Sequence, residues 1–109
     1  MSQSSSTIVE LDPADVHAGM ARGEIVLVDV REPNEIAAER IAGALSMPLS
    51  RFDPAALPVG DPARIVFSCL GGKRSAAAVA QCRAAGVPAG RHMRGGITAW
   101  KAAGFPTER

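Results

Sequence analysis

The chain has 109 residues, 47% apolar and 21% charged, with a formal net charge of +1. That is the size of one domain, and the balance is globular rather than that of a disordered chain. Near-zero charge excludes a global basic field for nucleic acid or anionic membranes, and no apolar run reaches the roughly 20 residues of a membrane helix.

Residues 1–6 are polar and serine-rich. They read as a flexible tail ahead of one domain over residues 7–109. The start has neither the basic segment nor the apolar stretch of a secretory signal, so a cytoplasmic protein with reduced thiols is expected. Residues 7–9 suggest a weak strand. Asp12-Pro13 resembles a cap followed by proline at the first helical position, opening a helix that stops near Gly19. Residues 25–30 give the strongest strand signal, a continuous apolar run that fits a parallel strand buried on both faces. Glu32-Pro33 opens a short helix ending near Arg40. Residues 44–47 form a short strand closed by Pro48. A helical turn over residues 50–55 precedes a loop rich in proline and glycine. Residues 64–68 form a second central strand. An alanine-rich helix covers residues 75–85 and stops at Gly86. Residues 91–93 form a last short strand, and Gly95-Gly96 precedes a helix over residues 97–103, ended by Gly104 and Pro106. Strands alternating with helices predict an α/β domain with a mainly parallel sheet. Ligands of such sheets bind at the carboxyl ends of the strands, here just after Val28, Ser68 and Met93.

The second of these places carries the chemistry. Cys69, Leu70, Gly71, Gly72, Lys73, Arg74 and Ser75 lie between a strand and a helix. The glycines let the backbone turn tightly and aim amide N–H groups inward, which makes a cradle for an anion. The next helix points its unpaired N–H groups and positive dipole end into the same space, with Ser75 able to cap it. Lys73 and Arg74 add cations. This setting favours the thiolate of Cys69 over the thiol, and thus an anionic nucleophile. The bland alternative is a small buried cysteine that only packs. A core cysteine has no need of the Gly-Gly-Lys-Arg-Ser that follows. A nucleotide-binding P-loop is excluded, because Gly72-Lys73 is followed by Arg74 and no glycine stands five residues before Gly72.

Four motifs together resemble a single-domain rhodanese, a sulfurtransferase. Val28-Asp29-Val30-Arg31-Glu32-Pro33 with Glu35 is similar to that family's Asp-Val-Arg-Glu segment. Ile41-Ala42-Gly43-Ala44 with Met47-Pro48-Leu49 is similar to its Gly-His-Ile-x-Gly-Ala stretch. The loop from Cys69 is similar to its Cys-x-x-Gly-x-Arg-Ser active loop. Gly95-Gly96-Ile97-Thr98-Ala99-Trp100 with Gly104 and Pro106 is similar to its C-terminal signature. Glu39-Arg40 stand where the family often has Gly-His, a structural position. Leu70 stands where some thiosulfate-using members carry arginine, which leaves the natural donor open.

The resemblance implies a parallel sheet of about five strands flanked by helices. It implies catalysis through a persulfide at Cys69, with Leu70, Gly71, Gly72, Lys73, Arg74 and Ser75 binding the substrate. Sulfur would pass from a donor such as thiosulfate to cyanide or a thiol acceptor. Loop amides that favour a thiolate also favour a persulfide anion and the oxyanion end of a donor. A persulfide carrier in a relay between proteins, with little turnover of small donors, is the alternative from another class. The phosphatases and arsenate reductases that resemble this fold place arginine six residues after the cysteine. Arg74 is five after Cys69, and the shorter loop suits a single added sulfur atom. A cysteine protease would want a histidine base with an orienting partner, and His17 and His92 are the only histidines.

Asp29 and Arg31 follow a central strand and are read first as an ion pair that fixes loops, second as shaping the field at Cys69. Glu35 has Arg74 and Arg31 as candidate partners. Arg94, after the last strand, is a candidate for anion attraction or a solvated charge. Cys82 is expected in or near the core. It lies seven helical residues past Ser75, about 10 Å of rise, so a bridge to Cys69 is not expected. His17 is expected on a surface helix, His92 in a strand, and Phe67, Trp100 and Phe105 in the core. Nothing in the pattern suggests a metal, nucleotide, flavin or pyridoxal site.

Overall fold

The two apolar runs at residues 25–30 and 64–68 become the middle of the sheet. The computed structural model describes residues 8–58 and 60–109; the expected tail over residues 1–6 and the start of the first strand at Thr7 lie outside them. The elements run β1 (Val9–Leu11), α1 (Pro13–Ala21), β2 (Val26–Asp29), α2 (Pro33–Ala38), β3 (Leu45–Ser46), β4 (Ile65–Ser68), α3 (Lys73–Ala84), β5 (Arg91–Met93) and α4 (Gly96–Ala102). Three short 3-10 turns connect β3 to β4. The sheet has five strands in the order β1-β5-β4-β2-β3, and every pair is parallel. The expected α/β fold with a five-stranded parallel sheet flanked by helices is thus the observed one.

Burial on both faces explains why β2 and β4 read as unbroken apolar runs. Alternate residues feed two cores. Val28, Ile65, Phe67 and Cys69 pack on one face with Ala78, Val79 and Cys82 of α3. Leu27, Val66 and Met93 pack on the other with Val16, Ile97 and Trp100 of α1 and α4. Phe52 closes the first core edge-on against Phe67, ring centroids 5.4 Å apart. Phe105 closes the second, 5.1 Å from Trp100.

Several boundaries differ from the sequence reading, each for a local reason. Helix α1 runs past Gly19 to Ala21, because that glycine is chosen for contact: a Cβ there would collide with the Ile25 side chain. Helix α2 ends at Ala38 rather than Arg40, because Glu39 turns extended and Arg40 instead bridges Glu108. Helix α3 begins at Lys73, two residues before Ser75. Gly72 takes φ +106°, reverses the chain there, and serves as the N-cap itself. Ser75 is therefore not the cap. It is the third residue of α3, fully buried, with its side chain turned back toward the loop.

Candidate active site

Strand β4 delivers Cys69 to the carboxyl edge of the sheet, and α3 starts against it. The Cys69 sulfur lies 3.0 Å from the Gly72 amide nitrogen and 3.3 Å from that of Ser75, both of which donate to it. The Ser75 hydroxyl stands 3.5 Å from the same sulfur. These donors belong to the first turn of a helix, where N–H groups lack carbonyl partners and the dipole is positive. Of the residues expected to cradle the site, Gly72 and Ser75 thus reach the sulfur with their amides. Leu70 instead turns outward, 51% exposed. Cys69 itself is 1% exposed, so its sulfur is the floor of the loop.

A second helix start braces the loop from behind. Ile97 N–H donates to the Cys69 carbonyl at 2.8 Å, and Thr98 N–H to the Leu70 carbonyl at 3.1 Å. This close approach requires Gly96. Its φ is +59°, and a Cβ there would overlap the Cys69 carbonyl oxygen.

The cations take different parts. Arg74 gives both terminal nitrogens to Glu35, at 2.7 and 2.8 Å. That guanidinium holds the Glu35 carboxyl down from 4.5 to about 2, with help from the Glu32 amide and against partial burial. Of the two partners open to Glu35 in sequence, Arg74 is the one. Lys73 is exposed at the mouth of the loop. Arg31 pairs Asp29, with Nη2 and Oδ2 at 2.8 Å and both side chains nearly buried. Asp29 also accepts the Arg31 amide at 2.9 Å, and Arg31 donates to the Glu39 carbonyl at 2.8 Å. This closed set of bonds is the structural role foreseen for the pair. Arg94 pairs the exposed Asp12 at 2.6 Å.

Cys82 is fully buried in α3, and burial pushes its thiol up from 9.0. Both cysteines are free. His17 lies on the outer part of α1, stacked on Phe105 at 4.4 Å. The sequence places His92 in a strand and assigns it no partner. It is 3% exposed, and its Nδ1 lies 2.8 Å from the Ser75 hydroxyl. Strand order alone brings it there, since β5 pairs with β4 and sets His92 beside Phe67. A cleft of about 540 Å³ lined by Met20, Ile25, Leu27, Ile41, Leu45 and Trp100 lies toward α1 and α4 and contains neither cysteine. Of the chemistry-bearing side chains at the loop, Cys69, Ser75 and His92, none lines that cleft. Among the described residues no cluster of three or more His, Cys, Asp or Glu is placed to hold a metal ion, and no helix is long and apolar enough to cross a membrane.

Residues 12–103 match the model of the rhodanese-like domain. An uncharacterised protein of Synechocystis is 41% identical over 107 residues, 98% of this chain and 60% of that one, so the chain spans less than two thirds of that relative. A sulfurtransferase of Allochromatium vinosum is 33% identical, covering 89% of this chain and 92% of that protein. A solved structure from Rhodopseudomonas palustris, named as a protein of unknown function and possible tyrosine phosphatase, superposes with a TM-score of 0.76. It shares 35% identity and covers 94% of this chain and 86% of that one.

Proposed function

Since the chain belongs to the rhodanese-like domain family, we propose that it is a sulfurtransferase that carries a sulfane sulfur on Cys69. The observation that carries this reading is the pair of amides, Gly72 and Ser75, aimed at the Cys69 sulfur from the start of α3. A thiolate held this way attacks the sulfane sulfur of a donor such as thiosulfate. The new S–S bond forms as the donor's breaks, and sulfite leaves with the electron pair. Cyanide or a thiolate acceptor then attacks the outer sulfur, and the thiolate of Cys69 returns. No proton or electron is gained or lost over the cycle with cyanide. The loop amides that stabilise the thiolate also stabilise the persulfide. Of the two loop cations, the exposed Lys73 is the one with no ion pair among the described residues and is placed to meet an anionic donor, because Arg74 is held by Glu35.

That Arg74 is so held, five residues after Cys69, weakens the phosphatase reading, which needs a guanidinium wrapped around a phosphoryl group. The carrier reading has one observation in its favour. Leu70, exposed and apolar at the mouth of the loop, suits contact with a protein donor or acceptor.

The test is thiocyanate formation from thiosulfate and cyanide by the wild type and Cys69→Ala, with intact mass recorded before cyanide is added. A gain of one sulfur, about 32 Da, with turnover lost in the variant supports the reading. A sulfur adduct without turnover favours the carrier. Vigorous hydrolysis of an aryl phosphate, with neither adduct nor turnover, would replace both with the phosphatase.

A further inference from the structure

Behind Cys69 an unbroken line of polar atoms leads away from the loop to the far edge of the sheet. The sulfur is 3.5 Å from Ser75 Oγ, which is 2.8 Å from His92 Nδ1. On the other side of the ring, His92 Nε2 is 3.2 Å from the Glu10 carboxylate. Cys69, Ser75 and His92 are buried at 1%, 0% and 3% exposure, while the Glu10 side chain is 51% exposed. The line therefore starts at the sulfur and ends at water. Its members come from the loop, α3, β5 and β1, and Glu10 and His92 are direct partners in the β1–β5 register.

Counting hydrogens shows what such a line can do. In one state the Cys69 thiol donates to Ser75, the Ser75 hydroxyl donates to Nδ1, and the neutral ring donates from Nε2 to Glu10. In the other state the sulfur is anionic, Nδ1–H donates to Ser75, and Nε2–H still donates to Glu10. The Ser75 hydroxyl is then free to donate to the sulfur or to the Gly72 carbonyl at 3.1 Å. That carbonyl does not depend on it, since the Ala76 amide already donates there. Both states satisfy every group, and neither moves a heavy atom. Two amides face the sulfur, and a carboxylate stands behind the His92 ring. Its β4 neighbour is the apolar Phe67, and on its own strand Arg94 is neutralised by Asp12.

We propose that Ser75, His92 and Glu10 form a proton relay for Cys69, in which His92 takes the thiol proton through the Ser75 hydroxyl and Glu10 holds the resulting imidazolium. The S–H bond breaks as Oγ gains that proton and gives its own to Nδ1. No electrons are exchanged with any other group. His92 and Glu10 are positioning residues, since neither touches the sulfur. The inference rests on Cys69 being the nucleophile. It adds how the sulfur is made and kept anionic.

The relay is read by alkylation of Cys69 with iodoacetamide against pH, a measurement that needs no turnover. His92→Asn places an amide where Nδ1 was, keeping a partner for Ser75 that takes no proton. The expected result is alkylation about tenfold slower at pH 7, the low end of what one nearby opposite charge contributes, with wild-type rates restored by pH 9. Glu10→Gln, at a half-exposed site where folding is not at stake, is expected to slow it about threefold at pH 7 by the same loss of charge. The ring is read directly by its 15N resonances. Both nitrogens of His92 are expected to be protonated in the wild type at pH 7, and only one in Cys69→Ala. Equal slowing at every pH, or the same ring state with and without Cys69, overturns the relay. Rates unchanged in both variants overturn it too. Wild-type turnover that persists through those results leaves sulfur transfer standing. A ring that responds to Cys69 in a protein with neither sulfur adduct nor turnover leaves the relay and removes sulfur transfer.

Discussion

The two cysteines differ far less in burial than in surroundings. Cys69 is 1% exposed and Cys82 0%, and both belong to the core between the sheet and α3. Around Cys82 the neighbours are apolar, and burial alone acts on the thiol, raising it. Around Cys69 the chain arrives at a strand end and a helix start, and two amides and a hydroxyl turn toward the sulfur. Depth in the protein is thus not what distinguishes the two thiols. What separates them is whether donors replace the water that burial removes. The same contrast divides the molecule. Its apolar centre is held by packing, whereas the carboxyl edge of the sheet is held by polar pairs such as Asp29 with Arg31 and Glu35 with Arg74.

The contrast is broken hardest at Gly96. An alanine there carries a left-handed backbone cost of about 1–2 kcal/mol, and its methyl group must displace the Cys69 carbonyl, an overpacking of about 1–3 kcal/mol more. Gly96→Ala is expected to lose about 2–5 kcal/mol in a denaturant melt, the sum of those two costs. Its Cys69 alkylation is expected to slow while Cys82 stays inert. An Ala variant with wild-type stability and reactivity would mean that the α4 start does not brace the loop.

Cys82→Ala sharpens the comparison from the other side. It removes one buried sulfur from a packed face, for which a cost of about 1–2 kcal/mol is expected. Sulfur transfer is expected to stay within about twofold of wild type, as for a substitution outside the machinery. A large loss of turnover at unchanged Cys69 alkylation would instead make Cys82 a second working thiol.

Much of this was legible because the relevant signals are local. The unbroken apolar runs of β2 and β4 announce a sheet buried on both faces. The loop from Cys69 to Ser75 announces a tight turn into a helix start with inward amides, because glycine, cation and helix start are adjacent in the chain, and two of those amides reach the Cys69 sulfur. The Asp29–Arg31 pair is two residues apart and was readable as an ion pair. What escaped was assembled by topology. His92 meets Ser75 only because β5 lies beside β4, and it meets Glu10 only because β1 lies beside β5. No spacing in the chain encodes those adjacencies. The orientation of Ser75 escaped for a different reason. Gly72 takes a left-handed turn that starts α3 two residues early, so a residue suited to capping became an interior one. A histidine stacked on an aromatic ring at the surface and a buried one completing a line of hydrogen bonds look alike as letters.

The smallest expected effect concerns Glu35. Its carboxyl is held at about 2 in the folded chain against an ordinary 4.5, chiefly by Arg74. A depressed carboxyl contributes stability that is fully present above its unfolded value and is lost as pH falls through the folded one. The window is therefore pH 4.5 down to about 2. The pair is about a third exposed on each side, so water and salt screen it, and its contribution at neutral pH is under about 1 kcal/mol. Glu35→Gln should lower the melting temperature slightly at pH 7. It should also make melting less sensitive to acid between pH 4.5 and 2 than in the wild type, because one proton uptake has been removed from that range. An identical acid dependence in both proteins would show that the pair is not formed in solution. Arg74 would then be free at the mouth of the loop, and the anionic donor would meet two cations there instead of one.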